Sequence, residues 1–179
     1  MSVSPRLLSL SRLMAWLSLA GFVLVPAITI YVFLYPDTSR WLMFNIDHLG
    51  ATLNGKVPLN FRLMALLCEF VSVGFTMWAL WSLRRLFLIY TQGEVFSFGA
   101  FRALYNVALA LFGGVIGTFV MQGPISYILS YPLGPGHRYV SLGFGSGGVA
   151  TLFMAGVVLV IARVMAEARR VAEENAGFV

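Results

Sequence analysis

Four long apolar runs separated by short polar stretches set the pattern of the chain. The first runs from Leu13 to Tyr35 without a charge, between Arg6 and Arg12 on one side and Asp37 and Arg40 on the other. The second lies between Arg62 and the pair Arg84-Arg85 and holds one charged residue, Glu69. The third starts near Ala103, and no charge interrupts it before His137. The fourth begins in a glycine-rich stretch and passes through Arg163 into a polar, helix-forming tail. A helix needs about 20 apolar residues to cross a bilayer. The predicted spans are therefore residues 13–35, 63–83, 103–123 and 142–162.

Punctuation refines these boundaries. Pro26 should kink the first helix, which a membrane protein tolerates when neighbouring groups satisfy the freed carbonyl. Ser18-Leu19-Ala20 resembles a signal-peptide cleavage site, but the apolar run continues well past it and reads as an uncleaved anchor. The helical pattern of the second span runs beyond the arginines through Leu86, Phe87, Ile89 and Tyr90 to the stop signal Thr91-Gln92-Gly93. Gly123-Pro124 predicts a break in the third helix, because proline disfavours helix at the residue before it. Residues 125–133 would then form an interfacial segment or a short helix, with Tyr127 and Tyr131 suited to headgroup level.

Composition supports the same picture. Hydrophobic residues make up 59% of the 179 positions and charged residues 11%, against about 25% charged in soluble domains. With a mean hydropathy of +0.86, lipid must solvate most of the apolar surface, and the expected fold is an all-α integral membrane four-helix bundle. The net charge of +5 comes from twelve basic residues scattered singly or in pairs, which argues against direct nucleic-acid binding. Eight of them fall in the amino end, the second connection and the tail, and four (Arg40, Lys56, Arg62, Arg138) in the other two connections. By the positive-inside rule both termini should be cytoplasmic. The single cysteine, Cys68, lies in an apolar run, excludes an intramolecular disulfide and reads as a packing residue.

The most distinctive sequence falls on the predicted cytoplasmic side. Residues 84–102 read as a tight helical hairpin in which Gly93 ends one helix and Ser97 caps the next. Phe87, Tyr90, Phe96, Phe98 and Phe101 are too many apolar groups for a solvated loop, so they enter the interface or meet another cytoplasmic element. Residues 163–175 read as the fourth helix continuing into the cytosol. Arg169 and Glu173, and Arg170 and Glu174, stand four apart and can pair. Ile161, Met165, Ala168 and Ala172 share one face, expected to pack on the hairpin.

Two arginines, an apolar stretch ending in Tyr90, and then Gly93-Glu94-Val95-Phe96-Ser97 resemble the signature of bacterial membrane proteins catalogued as domain of unknown function 2975. The resemblance continues into residues 167–174 and covers about the last hundred residues. The chain differs at Phe101, where a polar residue is expected, and at its Gly177-Phe178-Val179 ending. Some such proteins are encoded beside a small helix-turn-helix regulator. The resemblance thus implies a four-span bacterial inner-membrane protein working with a cytosolic DNA-binding partner. Candidate docking residues are Arg84, Arg85, Gly93, Glu94, Phe96, Arg169, Arg170 and Glu173.

Other chemistry is sparse. Glu69 is the one acid within a predicted span, where an unpaired charge costs about 3 kcal/mol on insertion scales. Gln122 should lie at similar depth, so the two are intramembrane polar candidates, read first as a structural pair and otherwise as part of a relay. The run from Gly143 to Gly148 formally matches a dinucleotide fingerprint, but no strand precedes it. Its Gly143/Gly147 pair, like Gly113/Gly117, suits close helix contact within the chain or between copies. Asp47, His48 and His137 match no metal-ligand spacing, and no nucleophile elbow or His-Glu-x-x-His occurs. No cofactor is expected. The sequence points to a non-enzymatic docking or regulatory membrane protein; the alternative is a small oligomeric transporter or channel using Glu69.

Overall fold

The computed structural model describes residues 5–36, 57–94, 97–143 and 145–176, without the side chains of residues 5–7, 172–173 and 175–176. Four helices dominate: α1 (Pro5–Leu34), α2 (Leu59–Thr91), α3 (Phe98–Ser130) and α4 (Ser146–Ala176), with a 3-10 turn, Tyr131–Leu133, after α3. No strand occurs among the described residues. All four helices are long and apolar enough to cross a membrane. At 33 residues each, α2 and α3 are about 50 Å long and exceed a hydrocarbon core of about 30 Å.

Large apolar side chains point outward: Leu67 is 72% exposed, Phe153 71% and Trp16 67%. Such a surface is incompatible with water and suits lipid. Hydroxyls in these helices bond to their own backbone. Ser18 donates to the Met14 carbonyl at 2.8 Å and Thr29 to that of Val25 at 2.9 Å, which lets small polar residues sit in an apolar helix.

Two expectations are corrected. The third helix does not break at Gly123-Pro124; α3 runs through Pro124 to Ser130. Leaving the helix there would strand several backbone groups in an apolar setting, whereas proline removes one hydrogen bond. The chain turns instead at Tyr131-Pro132-Leu133, where Gly134 and Gly136 both adopt φ +93°. The fourth helix begins at Ser146 rather than at residue 142, and residues 139–143 are not helical.

The chain divides into two compact units, each drawing on all four helices. Unit one comprises Met1–Phe22, Thr76–Phe112 and Thr151–Val179. Its core sets Leu86 of α2 against Ala100 and Ala103 of α3, with Leu83, Ile89, Tyr90 and Leu104 around them. From α4 it buries Ala155 and Ala162 fully, seven residues apart and so on one helix face. The face predicted to pack, Ile161-Met165-Ala168-Ala172, is open at Ile161 (48% exposed) and Ala168, while Met165 is half-buried and the Ala172 side chain lies outside the described residues. Alanines bring α4 closer to its neighbours than isoleucine would, and lipid receives the larger side chains.

Unit two comprises Val23–Phe75 and Gly113–Ala150. Its core is Val32, Phe33, Val57, Ala65, Leu66, Ile125 and Leu129, flanked by Phe61, Cys68, Phe70, Met121 and Ile128. Here Phe75 of α2 lies in a groove cut into α3 by Gly113, Gly114 and Gly117. A Cβ at Gly113 would overlap the ring, and one at Gly117 would sit 3.3 Å from it. The close approach predicted for Gly113/Gly117 is therefore between a ring and a backbone. Around Gly143 and Gly147, by contrast, an added Cβ meets nothing within 4 Å.

Candidate functional site

The hairpin follows from local backbone chemistry within unit one. Helix α2 continues past Arg84 and Arg85 to Thr91, whose hydroxyl donates to the Leu88 carbonyl at 2.7 Å. The Gln92 and Gly93 amides close the last turn on the carbonyls of Ile89 (3.0 Å) and Tyr90 (3.1 Å), and Gly93 takes φ +82°. That left-handed conformation is disfavoured for any residue with a side chain. Ser97 then caps α3: its Oγ accepts the Ala100 amide at 3.2 Å, and its carbonyl accepts that of Phe101 at 3.1 Å. The two helices return antiparallel, with the Ile89 side chain against Gly99.

The docking candidates differ in setting. Arg84 is half-buried, its guanidinium 5.4 Å from the Trp81 ring centroid. Arg85 and Glu94 are exposed, as is Arg102 nearby. Phe98, Phe101 and Tyr105 form an aromatic row along the start of α3, with centroids 6.1 and 6.0 Å apart. Phe96 lies outside the described residues. On α4, Arg170 is ion-paired with Glu167 at 2.6 Å and with Glu174 at 3.8 Å, all three more than half exposed. Exposed pairs of this kind contribute at most a few tenths of a kcal/mol. Arg169 is half-buried, and the Glu173 side chain lies outside the described set, as do Asp47 and His48. Among the described residues no group of three potential metal ligands occurs.

The intramembrane candidates belong to unit two. Gln122 is buried, and its Oε1 accepts the Gly143 amide at 2.8 Å. One turn along α3, Ser126 Oγ accepts the Ser141 amide at 2.9 Å and donates to the Gly123 carbonyl. One turn further, Ser130 Oγ meets both the amide and the carbonyl of Tyr139 at 3.2 Å. Every fourth residue of a helix thus serves every second residue of the returning chain. The spacings agree, since four helical residues rise about 6.0 Å and two extended ones about 6.6 Å. Val140 and Leu142, between the rungs, lie over Gly123. Partial burial raises the Tyr139 phenol above its ordinary range.

With its oxygen engaged by Gly143, Gln122 does not complete the pair expected with Glu69. The Glu69 Oε2 atom is buried and has no hydrogen-bond partner. Arg62, two turns before it on α2, donates from one terminal nitrogen to the Leu34 carbonyl at 3.0 Å, while its buried Nε has no partner. Arg62 thereby satisfies a carbonyl at the end of α1, where the helix dipole favours a cation.

The sequence profile of a family described as "Protein of unknown function (DUF2975)" matches residues 14–177. The chain belongs to the DUF2975 family. The match takes in nearly the whole chain and so reaches the first two helices, beyond the motifs of the hairpin and tail. No curated protein and no solved structure matches.

In this DUF2975 protein the hairpin could be read from sequence because glycine and serine act on adjacent backbone. The ladder between α3 and residues 139–143 was missed, although it left a signal: Gln122, Ser126 and Ser130 recur every fourth residue in an otherwise apolar stretch.

Proposed function

We propose that this DUF2975 protein is a non-enzymatic, multi-span protein of the bacterial inner membrane. Its hairpin and α4 tail dock a cytosolic partner, such as a small helix-turn-helix regulator. The observation that supports this most is the construction of the hairpin. Both helix ends are closed by backbone and side-chain caps, and around them stand the exposed charges Arg85, Glu94 and Arg102 beside an aromatic row. Capped helix ends lower the entropy lost on binding, and arginine with aromatic residues is the composition of interface hot spots. The exposed Arg170 and Glu174 on the tail add charge for orienting a partner.

The test is crosslinking and affinity capture from native membranes, comparing the intact chain with Arg85→Glu/Arg102→Glu and with a chain truncated after Arg163. A DNA-binding protein captured by the intact chain and lost in both variants is the expected result. Equal capture by all three, or none by any, refutes docking at these segments.

A second reading rests on the unpartnered Glu69 oxygen: a small oligomeric transporter in which Glu69 exchanges a proton or cation. Under it, Glu69→Gln abolishes flux in reconstituted vesicles and leaves partner capture intact. Unchanged flux in the folded variant eliminates it.

A further inference from the structure

The turn that joins α3 to residues 139–143 carries a cationic cleft that neither the docking nor the transport reading uses. Ser130 holds both backbone groups of Tyr139, so residues 131–138 form a closed loop whose ends are pinned at one point. His137 N–H bonds to the Gly134 carbonyl across its tip at 3.3 Å. The loop borders a largely open cleft of about 570 Å³ lined by Leu133, Gly136, His137, Arg138 and Tyr139.

Arg138 sits in this cleft on a built platform. Its guanidinium lies 4.0 Å from the Tyr131 ring centroid. Tyr131 is itself stacked on Phe61 at 5.7 Å and met edge-on by Tyr127 at 6.0 Å. A guanidinium over a ring engages through its face, and its five N–H donors lie in its plane. Those donors match the oxygens of a phosphate in bidentate fashion. Among the described residues no carboxylate is ion-paired with Arg138. The cleft also stands at the end of an apolar span: Leu133 closes it, and Tyr127, Tyr131 and Tyr139 are exposed around it, the composition of the aromatic belts at headgroup level.

We infer that this cleft binds the phosphate of an anionic phospholipid headgroup, held by Arg138 on its tyrosine platform, with Leu133 against the first acyl carbons. A lipid is favoured over a free phosphate because the cleft pairs its cation with apolar lining at the end of a membrane span, where acyl chains already lie. The pinned loop makes the site preformed, so binding carries little ordering cost.

The test uses the full-length protein purified in zwitterionic detergent, with phosphatidylglycerol, phosphatidylcholine or inorganic phosphate added in turn. Bound lipid is counted by native mass spectrometry and protection by the thermal unfolding midpoint. Phosphatidylglycerol should bind at one saturable site and raise the midpoint, and phosphatidylcholine at equal concentration should do neither. Arg138→Gln should weaken phosphatidylglycerol binding at least tenfold. Arg138→Lys, which keeps the charge but loses the fork, should fall between and serves if the glutamine variant does not fold. Arg163→Gln should bind as the parent does. Unchanged phosphatidylglycerol binding in a folded Arg138 variant overturns the site. Equal protection by millimolar inorganic phosphate overturns the lipid as its ligand.

Discussion

At the residue scale, the contact between Phe75 and Gly113 is the most sharply determined in unit two, because the ring occupies the space where any other residue would place its Cβ. Gly113→Ala should therefore destabilise the protein by about 1–3 kcal/mol, the range for overpacking a filled site. The cause is specific, so the penalty should shrink to under about half in a Phe75→Leu background, where the ring is gone. Thermal unfolding of the four proteins of this cycle in detergent measures the coupling, and additive effects would show that the groove is not what holds these helix faces. Ring-into-glycine packing was half legible in the sequence. Glycines four apart announce a close approach, but they do not say whether a backbone or a side chain makes it. The partnerless Glu69 oxygen is similar: an acid in an apolar run is conspicuous, whereas the loss of Gln122 to Gly143 depends on a residue 21 positions away.

At the element scale, the ladder makes α3 act as the hydrogen-bonding edge for residues 139–143. A hydrogen bond of this kind in a membrane is worth about 0.6 kcal/mol on average, so three rungs contribute roughly 2 kcal/mol, enough to hold a short segment in one register. Amide hydrogen exchange should alternate along it. Tyr139, Ser141 and Gly143 should exchange at least about tenfold more slowly than Val140 and Leu142, and Ser126→Ala should release the Ser141 amide first. Uniform exchange across the five residues would rule out the ladder. Elements defined by adjacent residues were readable in advance: the end of α2, the cap of α3 and the continuation of α4. The error at Gly123-Pro124 came from applying a rule of aqueous chains where leaving a helix is costlier than losing one bond. The late start of α4 escaped notice because its cause lies on α3.

At the scale of the whole molecule, unit one contains the amino-terminal end, the hairpin and the tail, and unit two the two other connections. These are the same two groups into which the count of basic residues divided the chain. A fluorescent protein fused after Val179 should accordingly mature and fluoresce, and alkaline phosphatase inserted at Gly136 should be active. The opposite pair of results would reverse the orientation and remove the hairpin from the cytosol. Hydrophobic patterning made the four-helix membrane architecture legible because the bilayer constrains every residue in a span. The faces that meet were less legible, because lipid and protein interior are similarly apolar and hydrophobicity does not distinguish them. The ladder also restricts how the lengths of relatives can drift. A single-residue deletion between Tyr139 and Gly143 would put the rungs on one side of it out of phase with those on the other, so insertions and deletions between these rungs should survive only in pairs.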